Sequence, residues 1–209
     1  MAAAAYPPAA EHFQEQSACL YLLRHGPTVA PPGCLLGSTD LPLSGQGLNR
    51  LAGLLPQLRD VEHWHCSPML RARQTLDELR RLGCRTDAAL YDQRLREIDF
   101  GAWEMKGFAE IAAIDPARVQ AWQEEYEQFA FPGGEAVADF VSRARAMLAD
   151  LAAQGGSIGA VTHGGVIRTM ICLALGLPPR SYLLFDVRPA SLTVLELFSG
   201  GGVLRGLNL

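Results

Sequence analysis

The sequence predicts an α/β sandwich built on a mostly parallel sheet. Short apolar runs that end in turn residues alternate along the chain with longer stretches of helical period. The 209 residues, 49% hydrophobic and 19% charged, are also enough for one sizeable core. We read residues 1–17 as a loose N-terminal tail and residues 18–209 as one domain.

Cys19 to Leu23 is apolar and stops at Arg24-His25-Gly26, the pattern of a buried strand ending in a turn. Residues 27–43, rich in Pro and Gly, form a long loop of the kind that often carries function. Ser44 is placed to cap a helix whose stripe is Leu48, Leu51, Leu55 and Leu58, with Pro56 kinking or ending it. Val61 to Cys66 reads as the second strand. Ser67-Pro68 then offers an N-cap and a proline at the first helical position, opening a helix that stops near Gly83. Cys84 to Leu90 is a weaker third strand.

Residues 95–134 form a mixed excursion with a helical stretch after Pro116. The turn Phe131-Pro132-Gly133-Gly134 leads into an amphipathic helix with Val137, Phe140, Val141, Ala144, Leu148 and Leu151 on its apolar face. Ser157 to Thr162 is a strand. His163-Gly164-Gly165 opens a helix that ends around Gly176-Leu177-Pro178. Ser191 to Phe198 and Val203 to Leu207 are the last two strands.

Composition narrows the function. A net charge of −4 gives no global electrostatic case for a nucleic acid or anionic membrane partner. A small anionic substrate would need a local cluster of cations. Cys19, Cys34, Cys66, Cys84 and Cys172 are odd in number and widely spaced, which fits reduced thiols in a cytoplasmic protein. Met1 to Pro8 lacks the basic start of a secretion signal, and no run approaches the roughly 18 apolar residues of a membrane span. The sequence is compatible with a homodimer but contains nothing that requires one.

Ligands in open parallel sheets bind beyond the carboxyl ends of the strands. Three strands here end in polar residues, at Arg24-His25, Ser67 and His163. An arginine beside His25 disfavours its protonation and keeps a lone pair for nucleophilic attack. The alternative for His25 is a structural histidine at a turn. His163-Gly164-Gly165 places free N–H groups at a helix start, a natural anion site, with His163 as a further donor. Arg168 reads as a tie for its own helix or the sheet edge. Arg71, one turn into its helix, has the planar fork that grips two phosphate oxygens, or else pairs with a nearby acid. Glu97, Asp99 and Glu104 each qualify as a proton donor to a leaving alkoxide, and spacing does not choose among them. Two histidines, two arginines and a carboxyl are the parts that phosphoryl transfer through a covalent nitrogen intermediate requires.

These residues resemble the histidine phosphatase superfamily, in its phosphoglycerate mutase-like branch, from about Leu20 to Leu197. Leu23 to Thr28 is similar to the signature of the phosphorylated histidine, and Gly37 to Ser44 to the loop after it. Ser67 to Thr75 is similar to the segment of the second phosphate-binding arginine, at Arg71. Leu95-Arg96-Glu97 with Phe100-Gly101 is similar to the acid segment and singles out Glu97. Pro132 to Glu135 and Val161 to Arg168 complete the match, with His163 on the second active-site histidine.

The resemblance implies a three-layer α/β/α sandwich with a mixed sheet and no metal or other cofactor. It implies catalysis by His25, Glu97, His163, Arg24 and Arg71. Phosphate contacts would come from Arg24, Arg71, His163, Gly164, Thr28, Gly37 and Ser38. Trp103-Glu104-Met105, the short length and Arg188 to Thr193 are most similar to α-ribazole phosphatase-like members. Pro27 and Pro31 depart from the family pattern, which usually has Glu or Gln, and often Asn, at those places. They imply an altered phosphate affinity or substrate range. The chain has no room for the insertion of the mutases, so hydrolysis of a small phosphorylated metabolite is expected over mutase action.

Other readings remain open from sequence. One is phosphoglycerate mutase or sugar-bisphosphate phosphatase activity. Another is a non-catalytic protein that only binds a phospholigand. A third is a metal site at Glu62, His63, His65 and Cys66, since His63 and His65 share one face of a strand.

Overall fold

The computed structural model describes residues 17–45 and 48–209. The reading of a tail over residues 1–17 therefore lies, apart from Ser17, outside the described residues.

In chain order the elements are β1 (Ala18–Arg24), α1 (Asn49–Leu58), β2 (His63–Cys66), α2 (Leu70–Arg81), β3 (Leu90–Tyr91), α3 (Phe108–Ile114), α4 (Pro116–Glu124), α5 (Val137–Gln154), β4 (Gly156–Thr162), α6 (Gly164–Ala174), β5 (Leu192–Phe198) and β6 (Gly201–Gly206). Short 3-10 turns lie between β3 and α3, after α4 and after α6. The six strands form one mixed sheet in the order β3-β2-β4-β1-β5-β6. β3, β2, β4 and β1 run parallel, and β5 and β6 add an antiparallel edge. This is the fold class expected from the sequence.

The side-chain period of two along β1 divides the core. Leu20 and Leu22 face a cluster with Phe140, Met147, Leu151, Val166, Ile167 and Met170 of α5 and α6. Leu23 faces the opposite side, with Leu51, Leu54, Leu58, Ala72, Leu76 and Leu79 of α1 and α2. The sheet is thus covered on both faces, as parallel sheets require. Each fully buried Leu or Ile in these layers contributes roughly 1.5–3 kcal/mol.

α5 buries every apolar position expected of it, and Met147 as well. Four local expectations are corrected. α1 starts at Asn49 with no side-chain cap, while Ser44 lies upstream and donates its backbone N–H to the Pro27 carbonyl at 2.9 Å. The buried stripe of α1 uses Leu54 rather than Leu55, and the helix continues past the exposed Pro56 to Leu58. α2 begins at Leu70, and its Leu70 N–H is taken by the Asp40 carboxylate at 2.7 Å, so the first helical amide is capped from the distant 27–43 loop, while Ser67 Oγ takes only the preceding Met69 N–H at 3.4 Å. The third strand shrinks to Leu90–Tyr91, because Ala89 N–H bonds Thr86 O at 3.1 Å and the preceding residues turn. Among the described residues no helix is long and apolar enough to cross a membrane.

Candidate active site

Strand register brings the polar strand ends together. Arg24 lies beside Thr162 across β1 and β4, and Cys66 lies beside Val161 across β2 and β4. The chain leaves all three strands at one level. His25 N–H bonds Thr162 O at 2.9 Å, and Ser67 N–H bonds Val161 O at 2.9 Å. His25, Ser67 and His163 emerge side by side at the carboxyl edge. The His25 and His163 ring centroids are 5.1 Å apart, with the planes tilted by 58°.

Hydrogen bonds fix the two imidazoles in opposite tautomers. His25 Nδ1 donates to the Gly26 carbonyl at 2.7 Å, since a carbonyl can only accept, so the lone pair sits on Nε2. Arg71 Nε donates to His163 Nδ1 at 3.2 Å, so His163 carries its proton on Nε2 and donates it to Ser67 Oγ at 2.7 Å. Burial drives the pKa of both rings well below the ordinary value, and the charges of Arg24 and Arg71 add to the effect on each. His25 is thus held neutral, as the sequence argument requires of a nucleophile.

Linkage turns these shifts into a stability prediction. A histidine whose folded pKa is depressed binds fewer protons folded than unfolded. Stability is then lost as pH falls through the unfolded value near 6.5, until the folded rings themselves take up protons. With two such rings the slope is up to about 2.7 kcal/mol per pH unit. The urea midpoint should fall between pH 7 and pH 5.5, and His163→Gln should remove about half of the slope. A midpoint independent of pH in that window would contradict the burial of two neutral imidazoles.

Beside His25 lies a cavity of about 580 Å³. Arg24, His25, Thr28, Glu97 and Gly164 of the expected set line it. Arg24 Nη1 donates to Val187 O at 2.6 Å, while its Nε is buried with no hydrogen-bond partner among the described residues. Burial works against the Arg24 charge, and the Glu97 carboxylate supports it. Glu97 accepts from Gly165 N–H at 2.9 Å and from its own neighbour, Ile98 N–H, at 3.1 Å. A Cβ on Gly165 would collide with that carboxylate, so a side chain there would displace Glu97 from this position.

The structure separates the three acids that spacing left equivalent. Glu97 alone reaches the cavity. Asp99 accepts from Ser38 Oγ and Gly101 N–H, both at 2.9 Å, and Glu104 is occupied by backbone amides. The backbone around Glu97 is held by Arg143 of α5. Its Nη1 donates to Arg94 O and Arg96 O at 2.9 and 2.6 Å, and its Nη2 to Glu97 O at 3.1 Å. The Glu135 carboxylate pairs with Arg143 at 2.7 Å.

Other expected residues lie off the cavity wall. Arg71 is fully buried, and all three of its guanidinium nitrogens donate, to His163 Nδ1 and to the carbonyls of Leu36, Gly37 and Thr39. His163 is likewise fully buried behind His25. Gly37 and Ser38 turn their N–H groups to Glu104. Conversely, the reading of Arg168 as a tie for its helix or the sheet edge is corrected. Arg168 lines the cavity, its Nε is buried, and no hydrogen bond or ion pair engages it among the described residues. The spacing carried a signal: Arg168 is four residues from Gly164 and three from Gly165, on the same face of α6.

The far wall of the cavity is aromatic, with Trp103, Phe108, Trp122, Tyr126, Phe131 and Tyr182. Tyr126 and Tyr182 stack at 4.9 Å. The metal reading at β2 does not converge. His63 and His65 face one side, His65 Nε2 meets Gln154 Oε1 at 3.0 Å, and Cys66 is buried on the other face. Among the described residues no three ligand-type side chains could hold an ion.

The family described as the histidine phosphatase superfamily (branch 1) matches residues 20–209. Phosphoserine phosphatase 1 of Hydrogenobacter thermophilus is 28% identical over 196 residues, covering 91% of this chain and 92% of that protein. Glucosyl-3-phosphoglycerate phosphatase of Mycobacterium tuberculosis is 31% identical over 175 residues, covering 76% of each chain. The crystal structure of the α-ribazole phosphatase from Shigella flexneri superposes with a TM-score of 0.78 at 29% identity, covering 91% of this chain and 96% of that one. The chain belongs to the histidine phosphatase superfamily, branch 1, and is a phosphatase with the phosphoglycerate mutase-like fold.

Proposed function

We propose that the chain hydrolyses a small phosphate monoester in two displacements at His25. The observation that carries the reading is the tautomer of His25, which leaves a bare Nε2 on a buried, neutral ring at the wall of a cavity that also holds Arg24 and Glu97. Nε2 attacks phosphorus, an N–P bond forms and the P–O ester bond breaks. Glu97, as the acid, gives its proton to the departing alkoxide. Water then attacks phosphohistidine, Glu97 takes the water's proton, and the N–P electron pair returns to Nε2.

Arg24 and the N–H of Gly164, the first residue of α6, meet the phosphate oxygens, and Thr28 borders the same space. Arg71 and His163 form the layer behind His25. His163 reaches phosphate by exchanging its Ser67 bond for one to a phosphate oxygen. Arg168 supplies a second cation on the wall. Arg168→Gln should raise KM for p-nitrophenyl phosphate about 10-fold, the value of one charge-assisted hydrogen bond. An unchanged KM would place its side chain outside the binding path.

For the substrate, we favour α-ribazole 5'-phosphate. Its benzimidazole ring suits the wall formed by Trp103, Trp122 and Phe131, and aromatic faces pair at 4.5–7 Å with about 0.5–1.5 kcal/mol per contact. One of the named relatives is an α-ribazole phosphatase and the other two are named for other phosphates, so the test is a screen at equal concentration. α-Ribazole 5'-phosphate should give the highest kcat/KM against phosphoserine, 3-phosphoglycerate, glucose 6-phosphate and AMP. A higher value for phosphoserine or 3-phosphoglycerate would move the substrate to a phosphorylated acid.

A further inference from the structure

The segment Leu36–Thr39 is held between two opposite charges. On its carbonyl side, Arg71 donates to Gly37 O at 2.7 Å, Thr39 O at 2.9 Å and Leu36 O at 3.4 Å. On its amide side, Glu104 accepts from Ser38 N–H at 2.8 Å, Gly37 N–H at 3.1 Å and Thr39 N–H at 3.3 Å. Glu104 also takes Phe100 N–H at 3.1 Å, which ties the same carboxylate to the acid segment. A Cβ on Gly37 would collide with Glu104 and the Ile98 carbonyl, so the close approach needs glycine. Glu104 does not line the cavity, and of this segment only Leu36 does, yet the arginine they hold ends on a ring of the site: Arg71 Nε donates to His163 Nδ1.

We propose that Glu104 is a positioning residue of the site, acting through residues 36–39 and Arg71 to keep His163 neutral with its proton on Nε2. The proposal rests on the phosphatase reading for its kinetic consequence, but its physical half stands on the ring itself. The amides pin the loop, the loop carbonyls aim the guanidinium, and the guanidinium takes the one nitrogen of His163 at which a second proton would go. Burial opposes that proton first, and so do the groups facing His163: the His25 ring just beyond β1, Arg71 from α2, Arg24 from β1 and Arg143 from α5. Of these, only Arg71 is bonded to the ring.

Glu104→Gln tests this. Glutamine keeps one acceptor oxygen and turns an NH₂ toward amide N–H groups that need acceptors. The loop should loosen, Arg71 should withdraw from Nδ1, and His163 should take up its proton at a higher pH. Carbon-13 or nitrogen-15 NMR of the ring in the full chain reads that directly and needs no substrate. With p-nitrophenyl phosphate, kcat should fall about 10- to 100-fold and the acid limb of its pH profile should move to higher pH, because charge-assisted bonds are lost. Ser38→Ala removes only the hydroxyl bonds to Asp99 and Glu104, and should shift His163 in the same direction by less, which keeps the test open if Glu104→Gln does not fold.

An unchanged His163 titration in the folded variant overturns the proposal, even if activity falls, because the loss would then not run through the His163 ring. If the wild type hydrolyses no monoester while the His163 shift appears, the phosphatase reading fails and the positioning role stands.

Discussion

His25→Ala should lower turnover of p-nitrophenyl phosphate by roughly 10⁴-fold or more, the scale seen when a nucleophile is removed from a preorganised site. The expectation follows from geometry on three sides of the ring. The Gly26 carbonyl takes the Nδ1 proton, which aims the Nε2 lone pair outward. Burial and the charges of Arg24 and Arg71 keep the ring neutral, so the lone pair is present at neutral pH. His163, 5.1 Å away, cannot substitute, because its Nε2 carries the proton and the lone pair on its Nδ1 is taken by Arg71. The variant should remain folded. It loses one buried ring at the sheet edge, a change on the usual scale of 0.5–3 kcal/mol. A folded variant that still turns over near the wild-type rate would mean that another group attacks phosphorus.

Glu97→Gln should divide substrates by their leaving groups. Glutamine can still accept from Gly165 N–H, so the local backbone is kept while the transferable proton is lost. An alkyl phosphate, whose alkoxide must be protonated as it leaves, should slow 10²- to 10⁴-fold. Nitrophenolate leaves without a proton, so the first displacement on p-nitrophenyl phosphate should change by less than about 10-fold. The second displacement still needs a base for water. The variant should therefore release one equivalent of nitrophenol per site in a fast burst and then stall. Equal slowing of both esters in the first displacement would remove the acid role from Glu97.

The fold was legible because it rests on periodicity. The β1 run, the α5 stripe and the β4-turn-α6 segment each bury the residues their spacing marks. The errors fell where distant residues decide local structure. The cap on Leu70 of α2 comes from Asp40, thirty residues upstream in sequence, and Ser67 Oγ serves the His163 ring besides the Met69 N–H. No window around residues 67–70 contains that information. The strand ends pointed to His25 and His163, because register alone brings them to one edge.

Roles among charged side chains were less legible. Arg71 is the second residue of α2 and Arg168 lies one turn into α6, helices that start at the same sheet edge, yet one is consumed by loop carbonyls and the other faces the cavity with no partner among the described residues. Glu104 and Arg143 act on backbone far from them in sequence, which spacing cannot express.

The central claim is a covalent phosphohistidine on residue 25. Mixing the full chain with a phosphate monoester, quenching in alkali where phosphohistidine survives, and mapping peptides by mass spectrometry tests it directly. The account predicts the added mass of one phosphoryl group on the peptide containing His25, appearing within one turnover and decaying as inorganic phosphate forms. Turnover that proceeds with the phosphoryl group on another side chain, or on none, would contradict it.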